Sequence, residues 1–317
     1  MIHRNVAAPT INDLSEFMKT HFDFDCAIIG GGPGGLVSAL YLERYKRKII
    51  VIDAGESRAQ WAPRIRNLIG YIGGIKGTDL LSKLRHQVHS QKSESVRGTA
   101  ILKRINGGFE VKIENRTVTA KKVILATGML DVQPPVPNFA DLRKKAVLGY
   151  CPICDGFDHR DDPIGLLVKD VHGLRKIKFI ARFSPLLHVI PTVPLKVSPQ
   201  YIKIIRETGV HFHVGQLESL TFQRNPRGLV VKIKGQKPFY LKFAYVELGT
   251  KVSHTAIKHI NGLKKTRDGF IVTSSHQETS VSGLFAVGDC VHALSQVSVA
   301  IGHAAVAATQ VHNDLGF

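Results

Sequence analysis

The sequence predicts an α/β protein of two three-layer domains, the second inserted in the first, and three observations carry that expectation. A short apolar run at residues 24–30 enters a block of glycine and proline, continues as a helical pattern, and leads to a second apolar run that ends in an acid. A separate alternation of strand and helix patterns fills residues 132–248, behind the proline-rich link Gln133-Pro134-Pro135-Val136-Pro137. Residues 281–289 and a long alanine-rich helix then return the chain to the first pattern. Strands alternating with helices bury their apolar faces by layering helices on a mostly parallel sheet.

The first element is strand, turn, helix, strand, acid. Gly30 allows the tight turn, Gly32 lets the backbone come close to a pyrophosphate, and Gly35 lets helix and strand pack closely. The helix N-terminus offers amide donors to phosphates, and Asp53, at the end of Ile49-Ile50-Val51-Ile52, can accept from ribose hydroxyls. In this context the turn is Rossmann-like and dinucleotide-binding. Farther along come a helix over 78–91, short strands near 101–105 and 109–113 joined at Gly107-Gly108, and a buried strand from Lys122 that ends in the small residues Ala126-Thr127-Gly128. The expected boundaries are an N-terminal extension at 1–23, a discontinuous first domain at 24–131 and 249–317, and an inserted domain at 132–248. Within the insert, strands are expected at 164–168 and 186–190 and helices at 172–182 and 199–208. Strands at 211–214, 229–233 and 239–244 follow. The helix over 296–312 carries Ala300, Ala304, Ala305, Ala307 and Ala308, small residues suited to close packing against the first domain or a cofactor.

Composition limits the function. The 317 residues are 44% hydrophobic, enough for two cores, and no apolar run reaches the roughly 20 residues of a bilayer span. Residues 1–22 lack the apolar block of a signal peptide. Four cysteines fit a reducing cytoplasm better than a secreted disulfide scaffold. The net charge is +18, and half of it falls in residues 132–248, which hold 18 basic and 9 acidic side chains. Such a field favours acidic partners. No dense Lys/Arg block is present and only 7% of residues are aromatic, so no specific nucleic-acid function is expected.

Chemistry concentrates in Cys151-Pro152-Ile153-Cys154-Asp155-Gly156. Two thiols at this spacing can open and close a small disulfide, and Asp155 stands ready to trade a proton. Zinc sites share the spacing but need two more ligands, and Cys26 and Cys290 supply no second pair, so no metal is expected. His211-x-His213 reads as a pair of surface histidines. Trp61 receives no role.

Taken in order, these motifs resemble the low-molecular-weight thioredoxin reductases of the pyridine nucleotide-disulfide oxidoreductase superfamily, over residues 24–317. The resemblance implies two FAD/NAD(P)-binding Rossmann-like domains and FAD as cofactor. Gly30, Gly32, Pro33, Gly35, Asp53 and Ala54 would then hold its ADP half, and Ala126, Thr127 and Gly128 would line the nucleotide. Gly288 and Asp289 would hold the ribityl and pyrophosphate region. Asn67, in Asn67-Leu68-Ile69-Gly70-Tyr71, resembles the loop near the isoalloxazine, and Gln296 with Val297 the flavin edge. By the same resemblance Cys154 meets the flavin, Cys151 exchanges with substrate, and Asp155 is the acid/base. A homodimer and a domain rotation are implied as well.

One departure stands against these matches. Where the family carries Gly-x-Gly-x-x-Ala after the strand at 164–168, this chain has Lys169-Asp170-Val171-His172-Gly173. Where a His-Arg-Arg-x-x-x-Arg cluster would take the 2′-phosphate, it has Ile190-Pro191-Thr192-Val193-Pro194. Side chains obstruct a pyrophosphate there, and Asp170 repels it. The expectation is therefore a flavoenzyme reducing a thioredoxin-like protein or a small disulfide with a donor other than NADPH, such as an acidic ferredoxin. Two alternatives stay open: a dithiol oxidase using oxygen, and a non-enzymatic flavin-binding redox sensor.

Overall fold

The computed structural model describes residues 22–89 and 93–316. The expected N-terminal extension, apart from Phe22 and Asp23, lies outside the described residues, as do the last two residues of the helix expected over 78–91. In chain order the elements begin β1 (Phe24–Ile29), α1 (Pro33–Arg44), β2 (Ile49–Asp53), α2 (Gly77–His89), β3 (Glu94–Arg97), β4 (Ala100–Ile105), β5 (Gly108–Ile113), β6 (Arg116–Leu125) and β7 (Met129–Asp131). Next are α3 (Phe139–Lys144), β8 (Leu148–Gly149), α4 (Pro152–Asp155), β9 (Ile164–Val168), α5 (Val171–Leu174), α6 (Ile177–Ile180), β10 (Leu187–Pro191), α7 (Pro199–Thr208) and β11 (His211–Phe212). The chain closes with β12 (Leu217–Gln223), β13 (Gly228–Ile233), β14 (Phe239–Leu241), β15 (Phe243–Glu247), β16 (Thr250–Val252), β17 (Leu284–Ala286) and α8 (Val297–Asp314). Two compact units result, one of Met1–Gly55, Gln87–Thr127 and His254–Phe317, the other of Glu56–His86 and Gly128–Ser253. Residues 56–86, expected with the first domain, group with the second unit.

In the first unit β1 lies between β2 and β6, parallel to both, with Cys26 opposite Ile49 and Ile29 opposite both Ile52 and Leu125. β3 extends the parallel sheet beyond β2 and β17 extends it beyond β6, while β4 and β5 join β6 antiparallel. Buried on both faces, β1 reads as a continuous apolar run. The small residues of α8 answer the choice left open by the sequence. A Cβ placed on Gly34 of α1 would lie 3.2 Å from Val287 and 3.6 Å from the Ala300 carbonyl, so α1 and α8 pack nearly backbone to backbone. At their far ends the Tyr45 ring stacks on His312 with centroids 4.4 Å apart, and Arg47 Nε donates to His312 Nδ1 at 3.0 Å.

The second unit is built on a five-stranded parallel sheet in the order β11-β10-β9-β15-β8. Its side chains sort by the two-residue period of a strand. Ile164, Leu166, Leu187, Val189, Phe243 and Tyr245 pack with Leu174, Ile177 and Ile180 of the helical layer. Leu167, Ile190, Ala244 and Val246 face the other way, onto the antiparallel sheet β12-β13-β14. The helix expected over 172–182 is two four-residue helices instead, broken at Arg175-Lys176. The sequence also left unmarked the ribbon in which β16 runs antiparallel to β7, with Asp131 opposite Thr250. Arg58 clamps that ribbon through two hydrogen bonds to Asp131, at 2.7 and 2.8 Å. Among the described residues no helix is long and apolar enough to cross a membrane.

Candidate functional site

Two sites emerge, one in each unit. In the first, Gly30 ends β1 at φ +116°, a conformation open to glycine, and a Cβ there would lie 2.2 Å from the Ala126 carbonyl oxygen. A Cβ on Gly35 would lie 1.8 Å from the Gly30 carbonyl, so strand end, helix start and the Ala126 turn close on one another only without side chains. Gly32 is the N-cap of α1 and Pro33 its first residue; no side chain caps the helix and no acid stands in its first turn. The first amides of a helix lack intrahelical partners, and the N-cap residue here, a glycine, has no side chain to take them. Such a cradle fits the pyrophosphate of a dinucleotide. Asp53 ends β2 with its Oδ1 accepting from the Gly55 amide at 2.8 Å. A Cβ on Gly31 would lie 2.2 Å from Asp53 Oδ2, so Gly31 is what lets the carboxylate reach over the turn. The sequence reading passed over Gly31; its signal was the uninterrupted run Gly30-Gly31-Gly32.

The other expected residues of this unit gather at the same sheet edge. β6 ends beside β1 and leads into Ala126 and Thr127. β17, paired with β6, leads through Val287 to Gly288 (φ +72°) and Asp289. A Cβ on Gly288 would lie 3.3 Å from Ala300 Cβ, which brings the start of α8, with Gln296 as N-cap and Val297 as first residue, to this edge. Ala54 follows Asp53 directly. Gly128, at φ +62°, directly follows Thr127; it and Asn67, exposed in the loop after Ile65, group with the second unit.

The second site lies at the edge strand β8, which runs parallel to β15 with Leu148 opposite Ala244 and Gly149 opposite Tyr245. Two residues later the chain reaches Cys151, which is disulfide-bonded to Cys154. The Cys154 amide donates to the Cys151 carbonyl at 2.9 Å, the turn that Pro152 opens as first residue of α4. Ile153, between the cysteines, and Phe157 beyond them are exposed. Asp155 is turned inward and is 9% exposed. Its Oδ1 accepts from the Tyr245 hydroxyl at 2.8 Å, and Tyr245 is fully buried. Burial pushes the Asp155 carboxyl up to about 6, opposed by the tyrosine hydrogen bond and by Arg66 and assisted by the nearby Asp158. Phe243 and His159 complete the wall, stacked with centroids 4.2 Å apart. Gly149 and Gly156 make room for it, since a Cβ on either would lie within 3 Å of the ring of Phe243 or Phe183. A dithiol beside a carboxyl that titrates near neutrality suits thiol–disulfide exchange with proton transfer. Tyr245 was missed in the sequence.

The turn after β9 is built differently from the turn after β1. Asp170 is the N-cap of α5, and its Oδ1 accepts from the amides of His172 at 2.9 Å and Gly173 at 3.3 Å. A Cβ on Gly173 would lie 2.7 Å from Val168 and 2.9 Å from the Glu247 carbonyl, so close helix–strand packing is retained. Glu247 ends the neighbouring strand β15 and pairs with Lys176; burial raises its pKa despite that pair. The chain's own carboxylate thus takes two of the helix amides. The histidines also differ from expectation. His211 is exposed, but the half-buried His213 bonds to His188 Nδ1 at 2.9 Å and to Gln236 at 2.8 Å and stacks on Phe239.

A family model described as pyridine nucleotide-disulphide oxidoreductase matches residues 24–304. A thioredoxin reductase of Aquifex aeolicus is 27% identical over 84% of this chain and 85% of its own length. One of Mycoplasma pneumoniae is 26% identical over 87% and 90%. The crystal structure of thioredoxin reductase from Streptococcus pyogenes is 23% identical, covers 92% of this chain and 98% of its own, and superposes with a TM-score of 0.79, a likeness of fold.

Proposed function

The chain belongs to the pyridine nucleotide-disulphide oxidoreductase family, as a thioredoxin reductase-like flavoprotein disulfide oxidoreductase, and we propose that it moves two electrons between FAD and the Cys151–Cys154 disulfide and on to a thioredoxin-like protein or a small disulfide. The observation that carries this reading is the closed Cys151–Cys154 disulfide with the buried carboxyl of Asp155 in the same helical turn. Bound FAD supplies the exchange between hydride or one-electron donors and a two-electron dithiol. The glycine cradle at Gly30, Gly31, Gly32 and Gly35 would hold its pyrophosphate and Asp53 a ribose. Asp289, Gln296 and Val297 would reach the rest of the cofactor.

On the sulfur side, the Cys151 thiolate attacks a sulfur of the partner disulfide. A mixed disulfide forms, the partner's S–S bond breaks, and the leaving thiolate takes its proton from Asp155. The Cys154 thiolate then attacks the Cys151 sulfur, closes the internal disulfide and releases the second partner thiolate. Two electrons pass from the protein dithiol to the partner.

The donor in this proposal is an acidic electron-carrier protein such as ferredoxin in place of NADPH. Asp170 on the helix amides supports exclusion of the nucleotide, and the net charge of +18 supports docking of an acidic partner. A cytoplasmic location and a homodimer belong to the same proposal, the first supported by the cysteine usage and the second by the family resemblance. The test is anaerobic bleaching of the purified yellow protein with NADPH, NADH, reduced ferredoxin and dithiothreitol in turn. Ferredoxin and dithiothreitol are expected to bleach it, with the ferredoxin rate falling steeply as salt rises. Bleaching by NADPH as fast as by ferredoxin overturns the donor assignment, and a colourless protein that takes up no flavin overturns the whole reading.

A further inference from the structure

Tyr245 lies ninety residues from the carboxylate it touches and is fully buried in the middle of β15. Its side chain packs with Phe243 and the aliphatic residues of the helix-facing core, where the neighbouring positions are apolar. A phenol in such a place needs a partner for its hydroxyl, and the partner is Asp155 Oδ1 at 2.8 Å. The parallel register that sets Tyr245 opposite Gly149 makes the meeting possible. Gly149 leaves room for the Phe243 ring, which a Cβ there would meet at 2.6 Å, and the second oxygen of Asp155 lies at ordinary contact distance, 3.6 Å, from the same point.

We infer that Tyr245 is a positioning residue for the proton-transfer step: its hydroxyl holds Oδ1, so that Oδ2 is the oxygen that carries the proton, and it stabilises the ionised carboxylate left after the transfer. The inference rests on the reading of Asp155 as the acid that protonates the leaving thiolate. The donor role of Tyr245 is secure across the working pH range, because burial and the adjacent carboxylate hold its own hydroxyl far above the ordinary tyrosine value. The other groups facing the pair are few. Asp158 lies in the turn after α4, and Arg66, from the preceding loop, is paired with Asp158. The His159 ring meets Tyr245 edge-on, with centroids 6.4 Å apart, and is paired with Asp162. None of these replaces the hydroxyl as the direct donor to Oδ1. Neighbouring charges act on either variant alike, so removal of the hydroxyl alone isolates the bond.

The experiment follows the exchange step apart from any electron donor. Flavin-loaded protein is reduced with dithiothreitol, freed of it under anaerobic conditions, and mixed with hydroxyethyl disulfide, whose basic leaving thiolate needs a proton. Thiols lost are counted by alkylation at intervals between pH 5 and 9 for wild type, Tyr245→Phe and Asp155→Asn. Wild type is expected to show a limb that falls as Asp155 ionises. Tyr245→Phe keeps the ring and removes one hydrogen bond to a charged group, so its limb is expected to move up by about one pH unit. Asp155→Asn is expected to abolish the limb. If Asp155→Asn abolishes it while Tyr245→Phe leaves it in place, the tyrosine assignment fails and the acid role of Asp155 survives. If Asp155→Asn leaves the limb untouched, the acid role fails and the tyrosine assignment with it. Flavin content and thermal melting, measured on both variants, separate a moved limb from a damaged core, which would lower the rate at every pH without shifting the profile.

Discussion

Gly32 and Asp170 stand at the same place in two parallel sheets. Each is the N-cap of the helix that follows a central strand, with extended backbone at φ −78°, ψ −177° and φ −153°, ψ 178°. Three residues on, Gly35 and Gly173 each sit where a Cβ would strike the preceding strand or its neighbour. The scaffold of a dinucleotide turn is thus present twice. Gly32 has no side chain to cap its helix, whereas after Asp170 two of the amides are taken by a carboxylate oxygen of the cap residue. The helices also differ in length, twelve residues in the first case and four in the second. What this pair teaches is that helix–strand packing and anion binding are separable requirements of the motif. The third glycine serves the packing. The second position decides whether the positive end of the helix is offered to a ligand or closed by the chain itself.

Moving the carboxylate from one turn to the other breaks the comparison most severely. Gly32→Asp places a capping acid at the start of α1, and the flavin retained on purification is expected to fall by at least about tenfold, read as the ratio of flavin to protein absorbance. A smaller effect contrasts the two sites through Asp155. Its folded pKa of about 6 lies above the ordinary carboxyl value of 3.8, so the ionised form is disfavoured in the fold. The stabilising contribution is complete below the unfolded pKa and is lost as pH rises through about 6. Asp155→Asn keeps an acceptor for Tyr245 without the charge, and chemical denaturation at pH 7.5 is expected to show a gain of up to about 3 kcal/mol, absent at pH 3. The smallest effects come from the closed turn. Asp170→Ala removes a helix cap and is expected to cost about 1 kcal/mol in the same assay, while Asp170→Gly costs only a few tenths. Should Asp170→Gly speed bleaching by NADPH, the carboxylate is itself the barrier; should it not, the missing phosphate-binding side chains dominate.

Much of this was legible because the chemistry is local. The left-handed backbone of Gly30 and the contact of Gly35 with the Gly30 carbonyl arise within one strand–turn–helix, and the dithiol and Asp155 fall within five consecutive residues. Asp170 could be read as hostile to phosphate, although its actual hold on two amides could not. Less was legible where the determining contact is distant. Residues 171–180 keep a helical composition, yet they form two short pieces fitted to the core under β9, β10 and β15.

From its residues alone the chain specified a glycine turn between strand and helix, a dithiol next to a carboxyl, and a second turn with a carboxylate in place of a glycine, because each depends on side-chain size, charge or backbone freedom within a few positions. The partner of Asp155 was decided only in three dimensions. Parallel strands are joined by long crossovers, so no local pattern states that β15 will lie beside β8, and that register alone places the hydroxyl of Tyr245 on the carboxylate.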